Sequence, residues 1–106
     1  MFENLEQLIK TIRERKNYSP DQSYTYKLLN DKNLSVSKVN EEIGELIEAV
    51  EQNSNKIHEA ADVIYHLIVY LETNDVKIEG VMVELKNRQK WLTIKIIFLL
   101  KFSEGK

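Results

Sequence analysis

The chain has 106 residues, 42% hydrophobic and 30% charged, with a formal net charge of −2, three glycines, one proline and no cysteine. That balance excludes a disulfide scaffold, a zinc–thiolate centre and a thiolate nucleophile, and it offers no basic surplus to recommend a nucleic-acid partner. It describes a single modest domain whose scarcity of chain breakers favours long helices over a turn-rich β fold.

The first segment, Phe2 to about Lys16, carries Leu5, Leu8, Ile9 and Ile12 at three-and-four spacing, which predicts an amphipathic helix. It lacks the basic-then-apolar order of a secretory signal, and with no cysteine present a reducing cytoplasm is the expected location. Ser19-Pro20-Asp21-Gln22 reads as a cap, a first-turn proline and a capping-box glutamine, although Ser23 is an equal candidate for the start. A second helix is therefore expected from residue 21 or 23 to Asn30. DKNLSVS then reads as a short link, with Ser35 or Ser37 capping the next helix.

The third helix is expected from Ser37 to Gln52, with Val39, Ile43, Leu46 and Val50 as a narrow apolar seam. Plotted at about 100° per residue, Glu42 and Glu45 fall together on one flank of that seam, with Glu41 just beyond. No Lys or Arg stands between Val39 and Asn55 to offset Glu41, Glu42, Glu45, Glu48 and Glu51. Like charges one turn apart each cost a helix roughly a few tenths of a kcal/mol. Asn53-Ser54-Asn55 predicts a turn into a fourth helix, Lys56 to Thr73. That helix is apolar almost all round, as a central buried helix should be, save for one stripe of Glu59, Asp62 and His66. Short turns on both sides make it antiparallel to its neighbours. Asp75 or a neighbour should start a fifth helix with Ile78, Val81, Met82 and Leu85 on one face. WLTIKIIFLLKF, in residues 91–106, is apolar but too short to span a bilayer. It reads as an extension of the fifth helix, a partner-facing strip or an ill-packed tail beyond a domain of residues 1–90.

The acid pairs Glu42/Glu45 and Glu59/Asp62 carry the chemistry. Carboxylates withdrawn from water need a cation or hydrogen-bond donors. Four of them from facing helices suit a hard divalent ion, Mg²⁺ or Mn²⁺, with open positions for water and phosphate oxygens. Glu41, beside them, is placed to be a base or a ligand to a second ion. Tyr24 can stack on a purine or ribose, and Ser23, Thr25 and Lys27 can touch phosphate; equally, Tyr24 can anchor its helix to the core. Lys38 can bind phosphate or balance Glu42 across one turn. His66 shares a face with Asp62 and is expected to orient it by hydrogen bonding from outside the ligand set. His58, near the helix start, is given no role.

The order EExxE (Glu41, Glu42, Glu45) followed by ExxD (Glu59, Asp62) resembles the signature of the all-α, MazG-like nucleoside triphosphate pyrophosphohydrolase superfamily. Within it, SYTYKLL (Ser23 to Leu29), KVNEEIGELIEA (Lys38 to Ala49), EAADVIYHLIVYL (Glu59 to Leu71) and VELKNRQ (Val83 to Gln89) resemble the phosphoribosyl-ATP pyrophosphatase family of histidine biosynthesis. The chain departs from the family pattern at Asn40, where glycine is usual, and at Ile43-Gly44. The resemblance implies an up-down bundle of about five helices, dimeric, that cleaves 1-(5-phospho-β-D-ribosyl)-ATP to phosphoribosyl-AMP and pyrophosphate. It further implies Mg²⁺ held by Glu42, Glu45, Glu59 and Asp62, Glu41 assisting the attacking water, and the next enzyme of the pathway, a cyclohydrolase, on a separate protein. Two alternatives remain: a relative acting on ordinary or damaged nucleoside triphosphates, and a non-catalytic helical association module whose acids are merely solvated.

Overall fold

In the computed structural model every described element is helical; the structure describes residues 1–18, 21 and 23–104, with side chains to residue 94. The helices are α1 (Glu3–Glu14), continued by a 3₁₀ turn (Arg15–Asn17), then α2 (Tyr24–Leu29), α3 (Lys32–Gln52), α4 (Lys56–Thr73) and α5 (Ile78–Glu104). Met1–Val76, with α1 to α4, forms one compact unit, and Lys77–Lys106 a second. No helix among the described residues is long and apolar enough to cross a membrane.

Several helix starts are set by single side chains. Ser23 is extended and its Oγ accepts from the Tyr26 amide at 3.2 Å, so it caps α2; the competing Ser19–Gln22 reading falls largely outside the described residues. Asp31 accepts from the Leu34 amide at 3.0 Å and starts α3 well ahead of the expected Ser37, so the anticipated link is helix. Ser35, inside that stretch, is buried, and its hydroxyl meets Thr73 Oγ1 at 3.4 Å. Thr73 in turn donates to the Val69 carbonyl at 2.7 Å.

Both ends of the α3–α4 hairpin close in the same way. Ser54 N–H bonds back to the Ala49 carbonyl and Asn53 N–H to Val50, with Asn53 left-handed (φ 53°). Val76 N–H bonds to Leu71 and Asp75 N–H to Glu72, with Asp75 left-handed (φ 57°). These are paired helix-stop bonds of the kind glycine usually serves, here built on residues that tolerate left-handed backbone. Asp75 therefore ends α4 rather than starting α5.

The core is small. Ile12, Leu28, Ile68 and Val69 are buried together, packed by Leu5, Leu8, Ile9, Leu29, Leu34 and Tyr65. Leu28 holds the six-residue α2 against α4. At the far end of α4, Glu72 is only 3% exposed and accepts from Arg13 Nε and Lys16 Nζ, each at 2.9 Å. Burial alone raises the Glu72 carboxyl. The hydrogen bonds from Lys16 and Arg13, with their charges, outweigh it and hold the group below its ordinary value. This clamp ties α1 to α4.

The expectation that α4 is enclosed on all sides fails within one chain: Ile57, Ile64 and Leu67 are exposed, as are Ile43, Ile47 and Val50 of α3. An apolar helix can leave part of its surface for something other than its own chain. Helix α5 runs unbroken past residue 90, so the apolar tail begins as helix; side chains from residue 95 lie outside the described ones.

Candidate functional site

The antiparallel register of α3 and α4 brings the two acid pairs face to face. It runs from Ser35 beside Thr73, past Glu42 beside Asp62 and His66, to Glu45 beside Glu59, and closes at Asn53–Asn55. One carboxylate oxygen each from Glu42, Glu45 and Glu59 lie within 4.8 Å of one another. A second group of similar size joins His58, Glu59 and Asp62 through the shared Glu59. The four predicted acids thus meet as two overlapping clusters. They do not sit in the interior as the sequence suggested: Glu42, Glu59 and Asp62 are each half-buried and Glu45 is exposed, so the cluster is open on one side.

The electrostatics are those of acids short of positive charge. Glu42 is raised above its ordinary value by desolvation and then by Glu45, with His66 opposing. Glu59 is raised by desolvation, then by Glu45 and Asp62, with His58 opposing. Glu42 Oε2 and Glu59 Oε2 are each buried with no hydrogen-bond partner. Orphaned carboxylate oxygens in an all-oxygen set fit a hard divalent cation.

The remaining predicted residues divide. Glu41 lies outside both clusters and pairs with Lys38 at 3.3 Å; Lys38 is thus bonded to Glu41, with the charge of Glu42 adding a smaller attraction. That hydrogen bond and charge raise the Lys38 ammonium. Ser23 is occupied as the α2 cap. Thr25 Oγ1 bonds to the Tyr65 hydroxyl, and the Tyr24 hydroxyl lies 3.2 Å from His66 Nε2. Tyr24 is 48% exposed. Burial raises its phenol, Lys38 opposes, and Tyr65, Glu42 and Glu41 add to the rise. Lys27 is exposed on α2. His66 Nδ1 meets the backbone carbonyl of Asp62 at 2.9 Å, so it steadies the turn that carries Asp62 rather than the carboxylate itself.

Three participants were not foreseen. His58 Nε2 stands 3.3 Å from Asp62 Oδ2; the i,i+4 spacing was the available signal. Tyr65 and the Glu72 clamp depend on contacts with α1 and α2 that a helical-wheel reading of α4 does not contain. Gly44, a departure from the family pattern, has open space where a Cβ would stand, so no close approach requires it.

Among the described residues, fold and site together define an all-helical protein with a carboxylate cluster shared by two antiparallel helices. Residues 5–89 match the family model described as phosphoribosyl-ATP pyrophosphohydrolase. The chain is 42% identical over 91 residues to the phosphoribosyl-ATP pyrophosphatase of Caulobacter sp. (strain K31), covering 84% of this chain and 85% of that one. It is 37% identical over 95 residues to that of Halobacterium salinarum (84% and 100%), and 43% identical over 88 residues to that of Cereibacter sphaeroides (80% and 85%). The chain belongs to the phosphoribosyl-ATP pyrophosphohydrolase family.

Proposed function

We propose that this protein hydrolyses 1-(5-phospho-β-D-ribosyl)-ATP to phosphoribosyl-AMP and pyrophosphate, the second step of histidine biosynthesis, in the cleft between α3 and α4. The carrying observation is the convergence of Glu42, Glu45 and Glu59 from two helices, with buried Glu42 and Glu59 oxygens left unpartnered, in a chain matching the family over residues 5–89.

Glu42, Glu45, Glu59 and Asp62 would hold Mg²⁺, or Mn²⁺ in its place. The ion supplies charge neutralisation for the polyphosphate and a more acidic water. The chain's own residues do the rest. Tyr24 offers an exposed ring face to the base or ribose, next to Lys38, and Ser23, Thr25 and Lys27, on the same short segment, would contact phosphate. Glu41 takes a proton from the attacking water, and Lys38 holds its carboxylate in place. Water adds to one phosphorus of the α–β linkage, and the bridging oxygen leaves with the other. The product passes to the cyclohydrolase that performs the next step, and both act in the cytoplasm.

Pyrophosphate release should be fastest with phosphoribosyl-ATP when compared with ATP, GTP, dUTP and oxidised purine triphosphates at equal concentration. Faster turnover of any of the latter assigns the cleft to ordinary or damaged nucleotides instead.

The working form is a homodimer. The exposed Ile43, Ile47 and Val50 on α3 and Ile57, Ile64 and Leu67 on α4 support this, because apolar surface on that scale is usually covered. Sedimentation should give twice the 12.5 kDa chain mass, and Ile64→Lys should return it to one. A parental protein that sediments as a monomer at micromolar concentration overturns the dimer.

A further inference from the structure

Helix α2 has six residues, too few to hold its shape alone, yet it presents the Ser23–Thr25 segment to the acid cleft. Leu28 anchors its far end in the core. At its near end two adjacent residues of α4 reach across: Tyr65 to the Thr25 hydroxyl, and His66 to the Tyr24 hydroxyl. The rings interlock, with Tyr65 edge-on to His66 at 4.9 Å and 90°, and Tyr24 edge-on to His66 at 6.1 Å and 71°. His66 is 8% exposed.

The hydrogen bonds of His66 fix its chemistry. A carbonyl oxygen only accepts, so the 2.9 Å contact with Asp62 O requires the proton on Nδ1. In the neutral ring Nε2 is then a lone pair, and the Tyr24 hydroxyl must donate to it. The tyrosine's proton is thereby committed to the protein, and its ring face is what remains for a ligand.

We infer that Tyr65 and His66 are positioning residues that clasp the Ser23–Thr25 segment to the acid-bearing turn of α4, setting where the Tyr24 ring meets the nucleotide. They touch neither the phosphates nor the proposed metal. The inference rests on the reading of this cleft as the nucleotide site, and the test separates the two.

The first arm is nitrogen NMR of His66 in the whole protein at alkaline pH, where an imidazole is neutral. Nδ1 is expected to be protonated and Nε2 not, with the Nε2 resonance moving in Tyr24→Phe. A proton on Nε2, or no response to Tyr24→Phe, overturns the clasp whether or not the protein has activity. The second arm is steady-state kinetics with phosphoribosyl-ATP. Losing one positioning hydrogen bond should raise KM about tenfold while kcat stays within about twofold, in both Tyr24→Phe and His66→Leu. His66→Gln, which restores an acceptor near Nε2, should recover most of the loss. Unchanged KM in Tyr24→Phe and His66→Leu, or equal failure of His66→Gln and His66→Leu, overturns it. A parental protein inert toward phosphoribosyl-ATP would refute the proposed substrate, and the NMR arm would still decide the clasp.

Discussion

Glu59→Gln is expected to lower kcat/KM for phosphoribosyl-ATP by about a hundredfold to a thousandfold, the usual cost of removing one preorganised electrostatic group from a reacting centre. Glu59 is the acid common to both clusters, so its charge serves more of the cleft than any other. The amide keeps the carboxylate's size and one acceptor oxygen, which limits the change to charge. The Mg²⁺ concentration for half-maximal rate should rise in parallel. Glu48→Gln, on the same acid-rich helix as Glu42 but outside both clusters and already hydrogen-bonded by Gln52, is the control for general charge effects. Parental turnover with unaltered Mg²⁺ dependence in Glu59→Gln would remove Glu59 from the site.

The second large effect is on stability. A ligand that binds only the native state stabilises it by about 2.7 kcal/mol at one hundred times its dissociation constant. Mg²⁺ should raise the thermal midpoint accordingly, and the pH profile should identify its ligands. Without metal, Glu42 and Glu59 have carboxyls raised above the ordinary 4.5. As pH falls from neutrality towards 4.5, the native state takes up protons before the unfolded chain does, so stability climbs; the gain stops once the unfolded chain protonates as well. Glu72, held below 4.5, acts in the opposite sense. Its contribution is complete above the unfolded value and is lost as pH drops below 4.5 through the folded one. Between them, these three groups should make the metal-free protein gain stability as pH falls from neutrality, through Glu42 and Glu59, and lose the Glu72 contribution in more acidic solution. Saturating Mg²⁺ should lift the neutral side most, because protons and the ion compete for the same oxygens. A midpoint indifferent to millimolar Mg²⁺ at neutral pH would favour the non-catalytic association module.

Much of this was legible in the residues. Helix α4 has the bounds its periodicity and flanking asparagines predict, Lys56–Thr73. The acid pairs could be matched in advance because the short Asn53–Asn55 connection leaves a helix little choice but to fold back on its predecessor. What stayed hidden has physical causes. Asn33, Ser35 and Ser37 favour turns locally, but Asp31 caps the stretch and the buried Ser35–Thr73 contact holds it helical. Apolar residues on every side of α4 could not distinguish surface covered by this chain from surface left bare. The openness of the cleft, the imidazole of His58 beside Asp62 and the reach of Tyr65 to Thr25 all depend on distances between helices, which no single-helix pattern encodes.

The left-handed asparagines of the α3–α4 connection have a consequence remote from themselves. Glu45 lies eight residues ahead of Asn53 and Glu59 four beyond Asn55, so the connection acts as a ruler from which both acids are measured. Adding one residue there would cost little chain entropy. To re-pair the helices, however, one arm of the ruler would have to slip by a residue, swinging its side chains by about 100° and aiming one acid pair away from the other. A backbone bend outside the acid clusters thus meters the charge density where they meet.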